Sequence, residues 1–492
     1  MSQAPASRPT YDELSAIVKR LDREIVDLRT QVARLTALLE EARRAGKRQA
    51  APFSTGDPNP SPKRPGRKAG AAHGPSAFRP VPDHVDEVHD APLPVACPDC
   101  GGKVVEERVA AQFQTEIPRA RPIVRRFDVH VGSCACCGKR AQGRHPLQTS
   151  DALGAAASQL GPNALALAAY LNKVGGMPYG KVTAFFVAAF QLRFSCGGLA
   201  RALHRTADKC EPTYQGFLLE LRQSAVVYPD ETSMRVSGQR GWLWVFVTLR
   251  ITVYVQRMSR GTDVIAEILG LDFAGIVVHD GWSPYDKLVF AIHQQCLAHY
   301  MRRADELLET ATRGAVRFPR AVKLLLGDGL GLRDRYESGE VSRHGRAVAL
   351  GHLESRLDRI VEANVTHEGN RSFQAHVERH RDELFTFLRH DGVEATSWPA
   401  DHATRPAVLF RKVSGGHRSQ RGAHTHDVLT SIHRTCAQNA ADVVAFFIAA
   451  LCAPRPRVLE LRQGLPAPPP PLPAGIGLRR KDRSKRVRPR AA

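Results

Sequence analysis

The sequence lacks long apolar runs. None reaches the roughly eighteen residues needed to cross a bilayer, and "VVAFFIAALCA" near the C-terminus is too short. The opening "MSQAPASRPTYDELS" has no apolar core, so no signal peptide is expected there. No basic amphipathic stretch stands out as a surface anchor, which disfavours an anionic membrane as partner. Acid is scarce as well: 49 Asp and Glu stand against 70 Lys and Arg, a formal net charge of +21. That excess points to a polyanionic partner, most simply nucleic acid. The expected setting is intracellular and reducing. There, clustered members of the ten cysteines mean metal or catalysis before disulfides.

A hydrophobic content of 43% supports real cores, and 492 residues predict about three domains. Leu14, Val18, Leu21, Ile25, Leu28, Val32, Leu35 and Leu39 alternate spacings of four and three. That keeps one apolar seam along a supercoiled helix, so residues 11–46 read as a coiled coil that joins copies of the chain. Residues 47–80 are a Pro/Gly-rich basic linker that cannot bury a core. Within it, Lys63, Arg64, Arg67 and Lys68 have the chemistry to lie along phosphates or in a minor groove.

"CPDCGG" pairs Cys97 with Cys100, and "CACCGK" pairs Cys134 with Cys137. A glycine follows each pair, where a chain must turn tightly around an ion. Four thiolates in two such pairs suit one structural, tetrahedral Zn2+ in a small β domain. Cys136 is a spare that competes for the same ion. Residues 151–222 have helical apolar spacing broken by Gly and Pro, consistent with a helix-turn-helix or a plain bundle. Strand-like runs follow at 225–229, 242–248, 251–256 and 275–279, then helical sequence from about 290 to 390. The alternation predicts an α/β domain with a mixed sheet and a helical insertion.

Asp230 in "VVYPDETSMRV" and Asp280 in "AGIVVHDGWSPYD" stand where apolar β runs stop. Strand ends are where α/β sheets build sites. Two carboxylates brought together there repel unless a cation lies between them, and Mg2+ takes carboxylate and phosphate oxygens. "HQQCLAHYMRR" spaces His293, Cys296 and His299 by three, so that neighbouring members share a helix face. "RKVSGGHRSQRG" combines glycines with Arg411, Lys412, Arg418 and Arg421. It lacks the ending of a nucleotide-binding loop and suits phosphate contact on DNA.

Together, "VVYPDETSMRVSGQRGWLWVFVT", "VIAEILGLDFAGIVVHDGWSPYD", "HQQCLAHYMRRADELL" and "RPAVLFRKVSGGHRSQRGAHTHDVL" resemble the transposases of insertion-sequence family 66. The heptads, the cysteine pairs and "LALAAYLNKVGGMPYGKV" agree in order, so the resemblance covers nearly the whole chain. It implies an RNase H-like core with a DDE acid triad, two Mg2+ or Mn2+ ions, and DNA cleavage followed by strand transfer. Asp230 and Asp280 match the first two acids, with His279 where Ser is usual. Asp401 in "SWPADHATRP" stands where the family has Glu, with the register set by Arg405 and Pro406. Cys296 and His299 resemble a CxxH signature that supports such sites. Arg405 joins Arg411, Lys412, Arg418 and Arg421 as expected DNA contacts.

The resemblance also implies a bacterial, nucleoid-associated protein. Its partners would be terminal inverted repeats, target DNA, further copies of itself and accessory proteins of the same element. The expected architecture is a coiled coil (11–46), a linker (47–80), a four-cysteine zinc domain (81–150) and a helical DNA-binding domain (151–222). An RNase H-like catalytic domain (223–455) with a helical insertion at about 300–390 follows, then a disordered Pro-rich basic tail (456–492). Because Asp is one methylene shorter than Glu, a second expectation is a weakened or inactive relative that occupies transposon ends.

Overall fold

The computed structural model describes residues 81–118, 121–154 and 159–458, with isolated helical positions at 21, 25, 28 and 31. The coiled coil apart from those four positions, the linker with Lys63, Arg64, Arg67 and Lys68, and the tail from 459 lie outside the described residues. The chain divides into two units at Pro118 and Arg119.

The described part of the first unit contains no paired strand, and its only helical positions are those four. Its cysteine pair forms a tight turn in which the Cys97 amide donates to Gly102 O and the Gly101 amide to Cys97 O, both at 2.9 Å. Gly101 has φ of +72°, a value glycine adopts freely. The second unit repeats this turn. The Cys134 amide donates to Lys139 O and the Gly138 amide to Cys134 O, again at 2.9 Å, with Gly138 at φ +67°. Here the turn joins β1 (Val131–Ser133) to β2 (Arg140–Gln142), an antiparallel ribbon. The expected small sheet is therefore a hairpin around the second cysteine pair, because that turn reverses the chain.

Three helices follow: α1 (Pro162–Lys173), α2 (Tyr179–Phe190) and α3 (Cys196–Arg222). Pro162 opens α1, where its missing N–H costs nothing. The Ser195 hydroxyl caps α3 by accepting the Gly198 amide at 3.0 Å. Leu199, Leu203, Cys210, Tyr214, Phe217 and Leu221 line one face of α3 at helical spacing and are buried. These helices share one core with the sheet instead of closing on their own.

The sheet has five strands: β3 (Val226–Ser233), β4 (Trp242–Val247), β5 (Thr252–Arg257), β6 (Ile276–His279) and β7 (Ile292–Gln295). Their order is β5-β4-β3-β6-β7. β3, β4 and β5 pair antiparallel, while β6 and β7 continue parallel to β3. A short helix, α4 (Thr262–Ile268), lies between β5 and β6. After β7 come α5 (Leu297–Thr310), α6 (Arg317–Glu337), α7 (Arg343–Glu362), α8 (Glu368–Arg379) and the single turn α9 (Thr386–Arg389). The chain then returns through α10 (Trp398–Ser414), α11 (Gln420–Gln438) and α12 (Val443–Cys452).

Both faces of the sheet are covered, and strand alternation sorts the side chains between them. Val227, Trp244, Phe246, Val253 and Val255 face α1, α3, α11 and α12. Tyr228, Leu243, Val245, Val247 and Tyr254 face α5 to α10. The sequence predicts helix from about 290, but Ile292–Gln295 pair with β6 as β7. Gln294 and Gln295 are fully buried yet polar, so no apolar alternation marks the strand. Hydrogen bonds meet much of that need: Gln294 accepts the Phe387 amide at 2.8 Å and donates to Gln295 O at 2.7 Å.

Candidate active site

Asp230 lies inside β3, not at its end as the sequence suggested. β3 runs on through Ser233 because β4 pairs with it there, with Asp230 opposite Val245. On the other side the ladder to β6 covers only Val226↔Ile276 and Val227↔Val277. Pro229 has no N–H to give either neighbour. Extended three residues, the β3–β6 register sets Asp230 level with Asp280, which directly follows β6.

By alternation Asp230 shares the Tyr228 face, where α10 packs. Burial raises its carboxyl above the ordinary range; Thr404 draws it back, while the charges of Asp401 and Asp280 raise it further. Asp401 and Asp280 are thus each within electrostatic reach of Asp230. Asp401 sits in the first turn of α10, its amide donating to Ser397 O at 3.0 Å. Asp280 is exposed, and its Oδ1 accepts the Trp282 amide at 3.0 Å. Gly281 between them has φ of +84°, and a side chain there would meet Gln295 Oε1 at 2.6 Å.

Glu231 faces the other way. Arg260 donates to its Oε1 from Nε at 2.9 Å and Nη2 at 2.7 Å, and the Tyr285 hydroxyl donates to Oε2 at 3.1 Å. Its side chain is 5% exposed. Burial raises its carboxyl, and Arg260 opposes that rise.

Behind Asp280 lies a buried histidine relay. His279 Nδ1 accepts the Gly281 amide at 3.1 Å, so in the neutral ring Nε2 carries the proton. Nε2 then donates to His293 Nδ1 at 3.0 Å, and His293 Nε2 donates to Leu288 O at 3.1 Å. Burial, helped by His293, pushes His279 down to about 3, so it stays neutral.

His293, Cys296 and His299 do not share a helix. His293 is in β7, Cys296 caps α5, and His299 lies in the first turn of α5. The Cys296 thiol accepts the Ser397 amide at 3.2 Å, tying α5 to the start of α10. The interaction with Cys296 outweighs burial and raises the His299 imidazole.

Several expected phosphate contacts are otherwise engaged. Arg411 donates to Thr232 Oγ1 at 3.1 Å and to Ser233 O and Oγ at 2.5 and 2.7 Å, because the end of α10 packs on β3. Arg421 pairs with Asp208 of α3 at 3.1 Å. The loop glycines serve backbone contact: a Cβ on Gly416 would collide with Arg235 O. The adjacent His417 amide donates to that same oxygen at 2.8 Å. Arg405, Lys412 and Arg418 are exposed.

The Cys97 thiol is held below its ordinary range by the amides of Cys100 and Asp99, and Cys134 likewise by those of Cys137 and Cys136. Among the described residues, no group of three or more His, Cys, Asp or Glu is gathered closely enough to hold a metal ion. None of the described helices is long and apolar enough to cross a membrane.

A mixed five-stranded sheet in this order, with acids at the β3–β6 rim and on a following helix, fits the catalytic core of a DDE-type transposase. The family model described as "Transposase IS66 family" matches residues 157–425, more than half of the chain. The chain belongs to the IS66 family of transposases, and that membership implies DNA as its partner. Among curated proteins, none matches the chain.

Proposed function

We propose that this chain cleaves DNA at transposon ends and transfers the freed strand, with Asp230, Asp280 and Asp401 as the catalytic acids. The supporting observation is the β3–β6 register, which sets Asp230 level with Asp280, with Asp401 near enough to help raise the Asp230 carboxyl. Carboxylates that destabilise one another favour a shared cation, and oxygen donors suit Mg2+ or Mn2+. Mg2+ is commonly bound through one or two carboxylates plus substrate phosphate oxygens. Two divalent ions bound there would activate the attacking oxygen and neutralise charge at phosphorus.

The chain's own residues do the positioning. β4 anchors Asp230 in the sheet. The His279–His293 relay braces the turn that carries Asp280. The link from the Cys296 thiol to the Ser397 amide, and from Ser397 O to the Asp401 amide, sets α10. Arg405, Lys412 and Arg418 are exposed and are proposed as phosphate contacts.

Mg2+-dependent nicking of DNA bearing the element's terminal repeats tests this reading. Nicks at the repeat ends support it. Tight end binding with no nicking under Mg2+ or Mn2+ would favour the second reading, a DNA-binding relative with lost catalysis. Asp401 motivates that alternative, since its carboxylate stops about 1.5 Å short of a glutamate's.

The pairs Cys97 and Cys100, and Cys134 and Cys137, are proposed as structural Zn2+ ligands, with Cys136 as competitor. Zinc content of the purified chain tests this, and a value near zero would remove the assignment. Pairing of copies through the 11–46 heptads is proposed as well; a monomer by light scattering would contradict it.

A further inference from the structure

At the strand ends on the Glu231 side of the sheet, where Trp242 and Trp282 stand half-buried against the core, cations and indoles alternate. Arg260 Cζ lies 4.2 Å from the centre of the Trp282 ring and 4.8 Å from that of Trp242. Arg240 Cζ lies 5.0 Å from the Trp242 ring as well. The order is Arg240, Trp242, Arg260, Trp282. Glu231 holds Arg260 through Nε and Nη2, leaving Nη1 without a partner among the described residues. The Arg260 side chain remains 40% exposed. Arg240 is exposed and has no acidic partner among the described residues. The stack therefore carries two guanidinium charges against one carboxylate.

Two features connect this stack to the acids. The Trp282 amide donates to Asp280 Oδ1, so the end of the stack and the second acid share one turn. The β3–β4 hairpin also carries Arg235 near Arg240 in the chain, and the docked loop adds Arg418: the Ser237 hydroxyl donates to Arg418 O at 3.2 Å. Arg235 and Arg418 are exposed and, like Arg240, lack an acidic partner among the described residues. A purely structural ion pair between Glu231 and Arg260 needs neither the second arginine on Trp242 nor this basic approach.

We propose that Arg240, Trp242, Arg260 and Trp282 form a platform for single-stranded DNA, receiving an unstacked nucleotide next to the scissile phosphate. Planar bases stack on indole and guanidinium planes whatever their sequence, while the surrounding arginines neutralise phosphates. A strand whose scissile phosphate sits among the acids crosses the rim at Asp280 and meets Trp282 first. This rests on the reading of the acids as the cleavage centre.

The test is fluorescence anisotropy with the full chain without added Mg2+ or Mn2+, which prevents cleavage. The probes are a blunt duplex of about 20 base pairs and the same duplex with a single-stranded flank of about six thymidines. The native protein is expected to prefer the flanked probe by about tenfold or more. Trp282→Ala and Arg240→Ala should each remove most of that preference while leaving blunt-duplex affinity intact. Trp282→Phe, which keeps a ring, should retain it. Equal loss on both probes would mean a general effect on fold or charge and would overturn the platform. A native protein that binds both probes equally would overturn it too, with end binding left standing. No binding to either probe would sink the functional reading and the platform together.

Discussion

Asp230 and Glu231 are adjacent in sequence and differ in what compensates each carboxylate. Both are raised first by burial. Glu231 also feels Asp280 and Asp230, but Arg260 and Tyr285 compensate it. Asp230 faces two further acids and has no cationic partner among the described residues. A carboxylate left in such surroundings is a cost to folding, and residues of that kind concentrate where function requires them. Strand alternation alone separates the two roles: one residue step moves a side chain from the α10 face to the Trp244 face.

That contrast can be broken or sharpened at several points. The largest expected change short of losing the site is a gain. Asp401→Glu lengthens the third acid toward the rim and should raise Mg2+-dependent nicking by about tenfold or more, since misplacement of this order costs up to about a hundredfold. No change in nicking would detach Asp401 from the reaction.

Glu231→Gln should act on the fold. It removes the charge that pairs with Arg260 and should cost about 1–2 kcal/mol in urea unfolding, less than a fully buried pair because Arg260 is partly in solvent. A variant as stable as the native chain would mean that the network contributes nothing.

The smallest effect per group is a titration. Burial pushes His279 and His417 down to about 3 and His376 and His433 to about 4, so all are neutral in the fold. The unfolded chain takes up these protons near pH 6.5. Their contribution is therefore complete above that pH and lost as pH falls toward 3–4. The urea midpoint should decline steadily below about pH 6.5, and a flat profile from pH 7 to 4.5 would contradict the assignment.

Much of this was legible in the sequence where local rules dominate. The apolar runs around Trp242–Val247 and Thr252–Arg257 gave away their strands, and glycines after the cysteine pairs marked tight turns. Asp230 and Asp280 stood out as acids beside apolar β runs. What remained hidden depends on tertiary pairing. β3 looked finished at Pro229 because the partner that extends it, β4, is known only from the register. β7 was concealed by two glutamines whose burial is offset by hydrogen bonds instead of apolar contact. Arg411 read as a phosphate contact because nothing local reveals that it will bond to Ser233 across 178 residues. Trp242, Arg260 and Trp282 are far apart in sequence, and no local pattern assembles them.

The most direct test of the account compares native protein with Asp230→Asn in nicking of terminal-repeat DNA under Mg2+, alongside thermal melting without metal. The account predicts at least about a hundredfold loss of nicking. It also predicts a melting temperature equal to or above the native value near neutral pH, because a repelled and buried charge has been removed. Nicking at the native rate, or a loss of nicking that accompanies a destabilised fold, would contradict it.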